Sequence, residues 1–172
     1  MTEPPFRLTA VDIAGLWSIQ AGREQSLDDV ARALFADADP HTSLALDEGR
    51  YLLRAWPHQA YLLTAEAGLP TAAKPCETLI TDIADAYCAF NLEGAAAFDF
   101  IADYLSADIR DTAPGPQCLR CRLGHYNLLL WWQKRERLQI LVERSLAHSF
   151  EGYIAQLALR RTDDQDEINR QG

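Results

Sequence analysis

The sequence predicts an α+β fold, in which helices pack on an antiparallel or mixed sheet. Strand-like and helix-like segments alternate along all 172 residues, and hydrophobic residues make up 48% of the chain, which is ordinary for a globular protein. The order strand, helix, hairpin is followed by hairpin, helix, three strands and helix. This order indicates two related halves within a single domain spanning residues 1–172.

The first half contains three predicted elements. Residues 11–20 form a strand, and residues 26–38 form a helix, because Ser26 is a favourable N-cap before an acidic first turn. Residues 50–66 form a hairpin, since two apolar runs flank a proline-containing turn. The glycine and prolines in 68–75 predict the crossover to the second half.

The second half is predicted from its apolar spacing. Residues 77–94 form two short strands, and 95–105 form a helix, because its apolar residues recur with helical spacing. Residues 145–159 form the last helix, capped by Ser145. Three tightly joined strands precede it, at 117–124, 126–133 and 137–144.

The two ends of the chain are predicted to be loose tails. Residues 1–6 contain two prolines, and residues 160–172 are polar throughout. Such terminal segments usually fray, so the ordered core is expected over about residues 8–159.

The charge of the chain excludes two classes of partner. The formal net charge is −9 and the isoelectric point is about 4.8, whereas nucleic acids and anionic membranes select basic surfaces. No apolar run approaches the roughly 18 residues of a spanning helix, and the first residues do not resemble a secretory signal. Four cysteines in such a chain predict reduced thiols and a cytoplasmic protein.

The pair Cys118 and Cys121 has the spacing of half a zinc site, but a structural zinc site needs four ligands. A strand is predicted here, and residues three apart on a strand face opposite sides. Cys121 is therefore expected in the core and Cys118 on the other face, with no metal between them. The histidines have no ligand spacing: His41, His58, His125 and His148. No glycine-rich phosphate-binding motif is present, so neither a catalytic nor a cofactor-binding residue is predicted.

The strand at 126–133 contains two adjacent tryptophans, which must face opposite sides. Trp132 shares a face with Tyr126, Leu128 and Leu130, which predicts a core position. The other face has an apolar centre between polar ends, and either the chain's own elements or another chain could cover it. We assign this face to a partner subunit, with Leu129, Trp131 and Gln133 at the contact, because aromatic anchors with a polar rim are typical of interfaces.

Residues from about 50 to 159 resemble the γ subunit of heterotetrameric sarcosine oxidase and of related N-methylglutamate dehydrogenases. The resemblance consists of short motifs in the family's order. They are Trp56 and Pro57 before an apolar run, Gly94 with Ala97, Asp108-Ile109, Gly115 through Cys118, the tryptophan strand 128–132, Arg144-Ser145, and the aromatic helix 150–157.

The resemblance implies a reduced form of the aminomethyltransferase-like, folate-binding type of fold and a heterotetrameric complex. The partners would be α, β and δ subunits, and the cofactors FAD, FMN, NAD, zinc and tetrahydrofolate would belong to them and not to this chain. No catalytic residue is assigned to the γ subunit of the family.

The leading hypothesis is a non-catalytic subunit of a complex that oxidatively demethylates an N-methyl amino acid with flavin and tetrahydrofolate. Two alternatives are a stand-alone folate-binding or one-carbon transfer protein, and a free-standing interaction module.

Overall fold

The computed structural model describes residues 6–23, 26–34, 44–47, 50–65, 78–112 and 117–171. Within these residues the chain forms ten strands and three helices. The strands are β1 (Arg7–Val11), β2 (Gly15–Gln20), β3 (Leu44–Asp47), β4 (Arg50–Trp56), β5 (Gln59–Thr64), β6 (Leu79–Asp82), β7 (Tyr87–Glu93), β8 (Gln117–Leu123), β9 (Tyr126–Lys134) and β10 (Arg137–Glu143). The helices are α1 (Leu27–Leu34), α2 (Ala97–Tyr104) and α3 (Ala147–Gln171), and short 3₁₀ turns lie at Ala84–Ala86 and Arg144–Leu146.

The strands form two five-stranded antiparallel sheets. The N-sheet has the order β3-β4-β5-β2-β6, and the C-sheet has the order β1-β7-β10-β9-β8. The α+β prediction is therefore confirmed, with two antiparallel sheets in place of one.

The two halves have the same topology. Starting from β2, the spatial order of neighbouring strands in the N-sheet is β2-β5-β4-β3. Starting from β7, the corresponding order in the C-sheet is β7-β10-β9-β8. A helix, α1 or α2, follows the first strand of each set. The strand that precedes each set pairs with the other half: β1 joins β7 in the C-sheet, and β6 joins β2 in the N-sheet. This exchange ties each half to the other through backbone hydrogen bonds.

The sheets and helices form four layers. The outer face of the C-sheet packs under α2 and α3, with Phe100 and Phe150 fully buried there. The outer face of the N-sheet packs under α1, through Leu27, Val30 and Ala31. The inner faces of the two sheets pack against each other. Both faces of each sheet therefore carry apolar residues that are buried against another layer. This explains why the strands lack a simple alternation of apolar and polar residues.

A capping box starts α1. The Ser26 hydroxyl accepts a hydrogen bond from the Asp29 backbone N–H at 3.1 Å, and the Asp29 carboxylate accepts one from the Ser26 N–H at 3.4 Å. The hydrogen bonds from Ser26 also lower the pKa of Asp29. The predicted start of this helix is confirmed, while its predicted end at residue 38 and the crossover at 68–75 lie outside the described residues.

Several elements differ from the sequence prediction: β3 was not predicted, and α3 starts at Ala147 after a 3₁₀ turn and not at a Ser145 cap. The single strand predicted at 11–20 is two strands, β1 and β2, that belong to different sheets, and the break between them lets the chain pass from one sheet to the other. The last helix was predicted to end at residue 159 with a loose tail after it, but its backbone continues to Gln171. The segment 160–171 contains no proline or glycine, so polarity alone did not end the helix.

Phe150 is expected to be one of the residues on which folding depends. Its side chain is fully buried in α3, with ring centroids 5.5 Å from Phe90 and 5.3 Å from Tyr126. Phe150→Ala should lower the free energy of unfolding by about 3–5 kcal/mol, through lost burial and a cavity. Leu159 lies on the same helix but is 68% exposed, so Leu159→Ala should cost less than about 0.5 kcal/mol. Urea unfolding of both variants measures the difference, and equal costs would contradict it.

Candidate functional site

The two tryptophans of β9 lie in different layers of the molecule. Trp132 is buried on the helix-covered face of the C-sheet, where its ring meets the edge of Phe98 at 5.6 Å. Tyr126, Leu128 and Leu130 are buried on the same face. The prediction that Trp132 belongs to the core is confirmed.

The assignment of Leu129 and Trp131 to a partner contact was wrong. Each is only 5% exposed, because the inner face of the N-sheet covers them. The Tyr51 ring lies 4.4 Å from the ring of Trp131. An apolar strand face needs a cover, and the sequence pattern is the same whether the cover is a second sheet or a second chain. Gln133, at the end of the strand, is exposed.

A groove of about 340 Å³ lies beside this layer, at the end of β9. Its lining residues are Tyr51, Trp131, Trp132, Gln133, Lys134, Arg137 and Gln139. Lys134 pairs with Arg137 whereas Trp132 pairs with Leu138, so one strand carries an extra residue, a β-bulge, at this point. A bulge interrupts the alternation of faces, which explains why the consecutive residues Gln133 and Lys134 both line the groove.

A row of polar side chains crosses the inner face of the C-sheet behind the groove. Asn91 pairs with Gln139, and Gln139 pairs with Trp131, so the three residues stand side by side. Trp131 Nε1, Gln139 Oε1 and Asn91 Oδ1 are buried and have no hydrogen-bond partner among the described residues. Buried polar atoms without partners are costly and few in native proteins, so this row needs a specific explanation.

The two charged residues among the described lining of the groove are both cationic. The Arg137 guanidinium forms an ion pair with Glu93 at 2.9 Å. Lys134 is exposed and has no ion pair within the described part of the chain. A chain with a net charge of −9 therefore places an uncompensated cation at the mouth of an aromatic groove.

The layer between the sheets also borders a second, much smaller cavity. It has room for about one water molecule and is lined by Leu16, Tyr61, Tyr87, Arg120, Asn127, Leu128, Leu129, Leu141 and Glu143. Burial, and then the neighbouring Tyr87, raises the pKa of Tyr61. This cavity is too small for an organic ligand.

The two cysteines of the predicted strand face opposite layers. Cys118 packs in the layer between the sheets, and Cys121 packs under the helices. Burial raises the pKa of Cys118 to about 12 and that of Cys121 to about 11. Because the two side chains face opposite layers, their thiols cannot bind the same metal ion. Among the described residues no group of three potential metal ligands occurs.

The histidines within the described residues lie at the surface. His58 is exposed in the turn between β4 and β5, and His148 is exposed in the first turn of α3. His125 is exposed in the turn between β8 and β9, with its ring 3.9 Å from Tyr126. In that turn Gly124 has φ +59, and a Cβ there would stand 2.8 Å from the Tyr153 hydroxyl, so glycine is required. His41 lies outside the described residues.

The motif residues of the second half have structural roles. Gly94 has φ 137, donates to the Glu136 carbonyl and accepts from Ala97 N–H, which places the start of α2. Ile109 is fully buried under the helices. Arg144 donates to the Asp85 carbonyl at 2.6 Å and to Ala84 at 3.3 Å, which joins the start of the last helix to the turn before β7.

The comparisons with known proteins define a fold class. No protein-family model matches the sequence, and no curated protein matches it. Within the described residues no helix is both long and apolar enough to cross a membrane. The chain has the α+β, two-sheet fold found in a multi-subunit amine-oxidising enzyme.

That enzyme is a heterotetrameric sarcosine oxidase from Corynebacterium sp. U-96, solved in complex with pyrrole 2-carboxylate. The two chains superpose with a TM-score of 0.74 at 16% sequence identity, over 92% of this chain and 87% of the other. The superposition confirms the predicted α+β fold and shows that a chain of this sarcosine oxidase shares it over nearly the whole length of the present chain.

Both tryptophans of β9 are now expected to stabilise the isolated chain. Trp131→Ala and Trp132→Ala should each lower the free energy of unfolding by about 3–5 kcal/mol, because each removes a buried ring. Trp56 is 52% exposed, so Trp56→Ala should cost less than about 0.5 kcal/mol. Urea unfolding followed by circular dichroism tests all three, and a Trp131→Ala chain as stable as the parent would contradict the burial of that face.

The raised cysteine pKa values predict a loss of stability in alkali. The folded chain retains the thiol protons of Cys118 and Cys121 above their ordinary pKa of 9.0, while the unfolded chain releases them. The free energy of unfolding should therefore be unaffected below about pH 9 and fall as the pH rises towards about 12.

Replacing both cysteines with alanine supplies the matched comparison, since every other titrating group is retained. Urea unfolding between about pH 8 and about pH 10.5 should show a shallower decline for this variant than for the parent. Parallel pH profiles would show that the two thiols titrate normally in the folded chain.

Proposed function

We propose that this chain is a non-catalytic subunit of a heterotetrameric, sarcosine oxidase-type complex, and that it corresponds to the small γ subunit. The observation that carries the proposal is the superposition on a chain of such a complex over 92% of this chain and 87% of that one. A superposition that covers most of both chains favours equivalent subunits, because a shared motif would match only a short part of each chain.

The positions of the motif residues support a structural role. Gly94 orders a turn, Ile109 fills the core, and Arg144 joins the last helix to the turn before β7. Each of these interactions holds the two halves or their helices together. These three motif residues are therefore explained by folding requirements, without a reaction at any of them.

The chemistry of the complex is assigned to its partners in this proposal. The complex would oxidatively demethylate an N-methyl amino acid, and FAD, FMN, NAD, zinc and tetrahydrofolate would be held by the α, β and δ subunits. The sequence of this chain contains no dinucleotide-binding or phosphate-binding glycine motif.

The experiment is purification of the tagged chain from its own host and, in parallel, of the chain expressed alone. The host preparation should elute well above 19.3 kDa, carry a flavin spectrum and oxidise an added N-methyl amino acid such as sarcosine. The chain expressed alone should be colourless, because its flavin would enter only with partner subunits. A matched preparation with the tag on an unrelated protein controls for capture by the resin.

Two results would contradict the proposal. Stoichiometric flavin on the chain expressed alone would show that it binds the cofactor itself. Saturable binding of tetrahydrofolate to the isolated chain, with no flavoprotein retained from the host, would select the alternative of a folate-binding or one-carbon transfer protein.

A further inference from the structure

The groove at the end of β9 combines features that folding does not require. Its volume of about 340 Å³ lies at the lower end of the range of roughly 300–1,000 Å³ for small-molecule sites. The cavity at Tyr61, by comparison, has room for only about one water molecule. The groove is therefore wide enough for a small organic ligand and not for a large cofactor.

The walls of the groove suit a flat, apolar group. Tyr51 and Trp131 come from different sheets, and their rings are tilted by 44° at 4.4 Å, so together they form an aromatic corner. Rings of this kind bind planar ligands through stacked or edge contacts.

The mouth of the groove suits an anion. Lys134 and Arg137 both line it, and no acidic residue is among the described residues that line it. Glu93 already pairs with Arg137, which leaves Lys134 as the cation available to a ligand. The β-bulge brings Lys134 to the same side as Gln133, so the cation stands next to the aromatic corner.

The polar row behind the groove gives a third, independent indication. Trp131 Nε1 needs an acceptor and Gln139 Oε1 needs a donor, and neither has one among the described residues. Both residues line the groove. A buried polar pair in the wall of the groove that lacks partners within the described part of the chain is a cost that packing alone does not explain.

We infer that this groove is a binding site for a small aryl carboxylate, with the ring over Tyr51 beside the edge of Trp131 and the carboxylate at Lys134. The inference concerns this chain alone and does not depend on its assembly with other subunits. Benzoate is the simplest probe of this class, and benzamide is its uncharged counterpart of nearly the same shape.

The test follows the indole N–H signal of Trp131 by ¹H–¹⁵N NMR of the full chain, assigned through Trp131→Phe. Benzoate should shift this signal saturably and should leave the indole signal of Trp17, which packs under α1, in place. Benzamide should bind about tenfold more weakly, a difference of about 1.4 kcal/mol, since it lacks the charge.

Variants at exposed positions identify the cation. Lys134→Gln should weaken benzoate about tenfold, and Lys134→Arg should restore it. Arg122 is exposed at the opposite end of the β8–β9 hairpin, so Arg122→Gln makes the same change in net charge without touching the groove. It should change the affinity by less than about twofold.

Three outcomes would overturn the inference. The first is no saturable shift of the Trp131 signal, which would leave the groove to water. The second is equal affinity for benzoate and benzamide. The third is equal weakening by Lys134→Gln and Arg122→Gln, which would indicate a general effect of charge.

Discussion

The burial of one strand face, that of Leu129 and Trp131, is the interaction on which the rest of the structure depends. These residues pack with Leu53, Tyr61 and Leu141 between the two sheets. Because the outer faces of the sheets are already covered by helices, the inner faces must cover each other. At about 25 cal/mol per Å² of apolar surface, removing one aromatic face from water is worth several kcal/mol, a large part of a typical folding free energy. Neither sheet is therefore expected to be stable without the other.

The exchange of β1 and β6 follows from the same constraint. Each strand belongs to one half in sequence and to the other half's sheet in space. The three residues between β1 and β2 carry the chain across the layer, and Ile13 packs inside that layer. The two halves thus share both an apolar interface and backbone hydrogen bonds.

The sequence predicted most of the elements but not how the sheets face each other. Ser26 and its acidic first turn located the start of α1, and the apolar spacing located α2 and the three strands of the second half. Those signals are local, so a single sequence carries them. The cover over Trp131 comes from Tyr51, eighty residues earlier in the chain. The polar residues on either side of Leu129 and Trp131 led to the prediction of an interface rim. In the structure, Asn127 and Gln133 are exposed near the ends of a strand whose centre is buried.

The groove lies where this layer stops being fully covered. The two sheets share an apolar row at Leu129 and Leu141, and the next row, at Trp131 and Gln139, mixes an indole with an amide. An apolar pair at that row would close the layer more favourably, since the buried indole N–H and amide oxygen lack partners among the described residues. The β-bulge then turns Lys134 towards the same opening. A chain that needed only a stable scaffold would be more stable without the buried indole N–H, the buried amide and the β-bulge. Their concentration at one end of the layer is what a binding site, retained at some cost in stability, would leave in the structure.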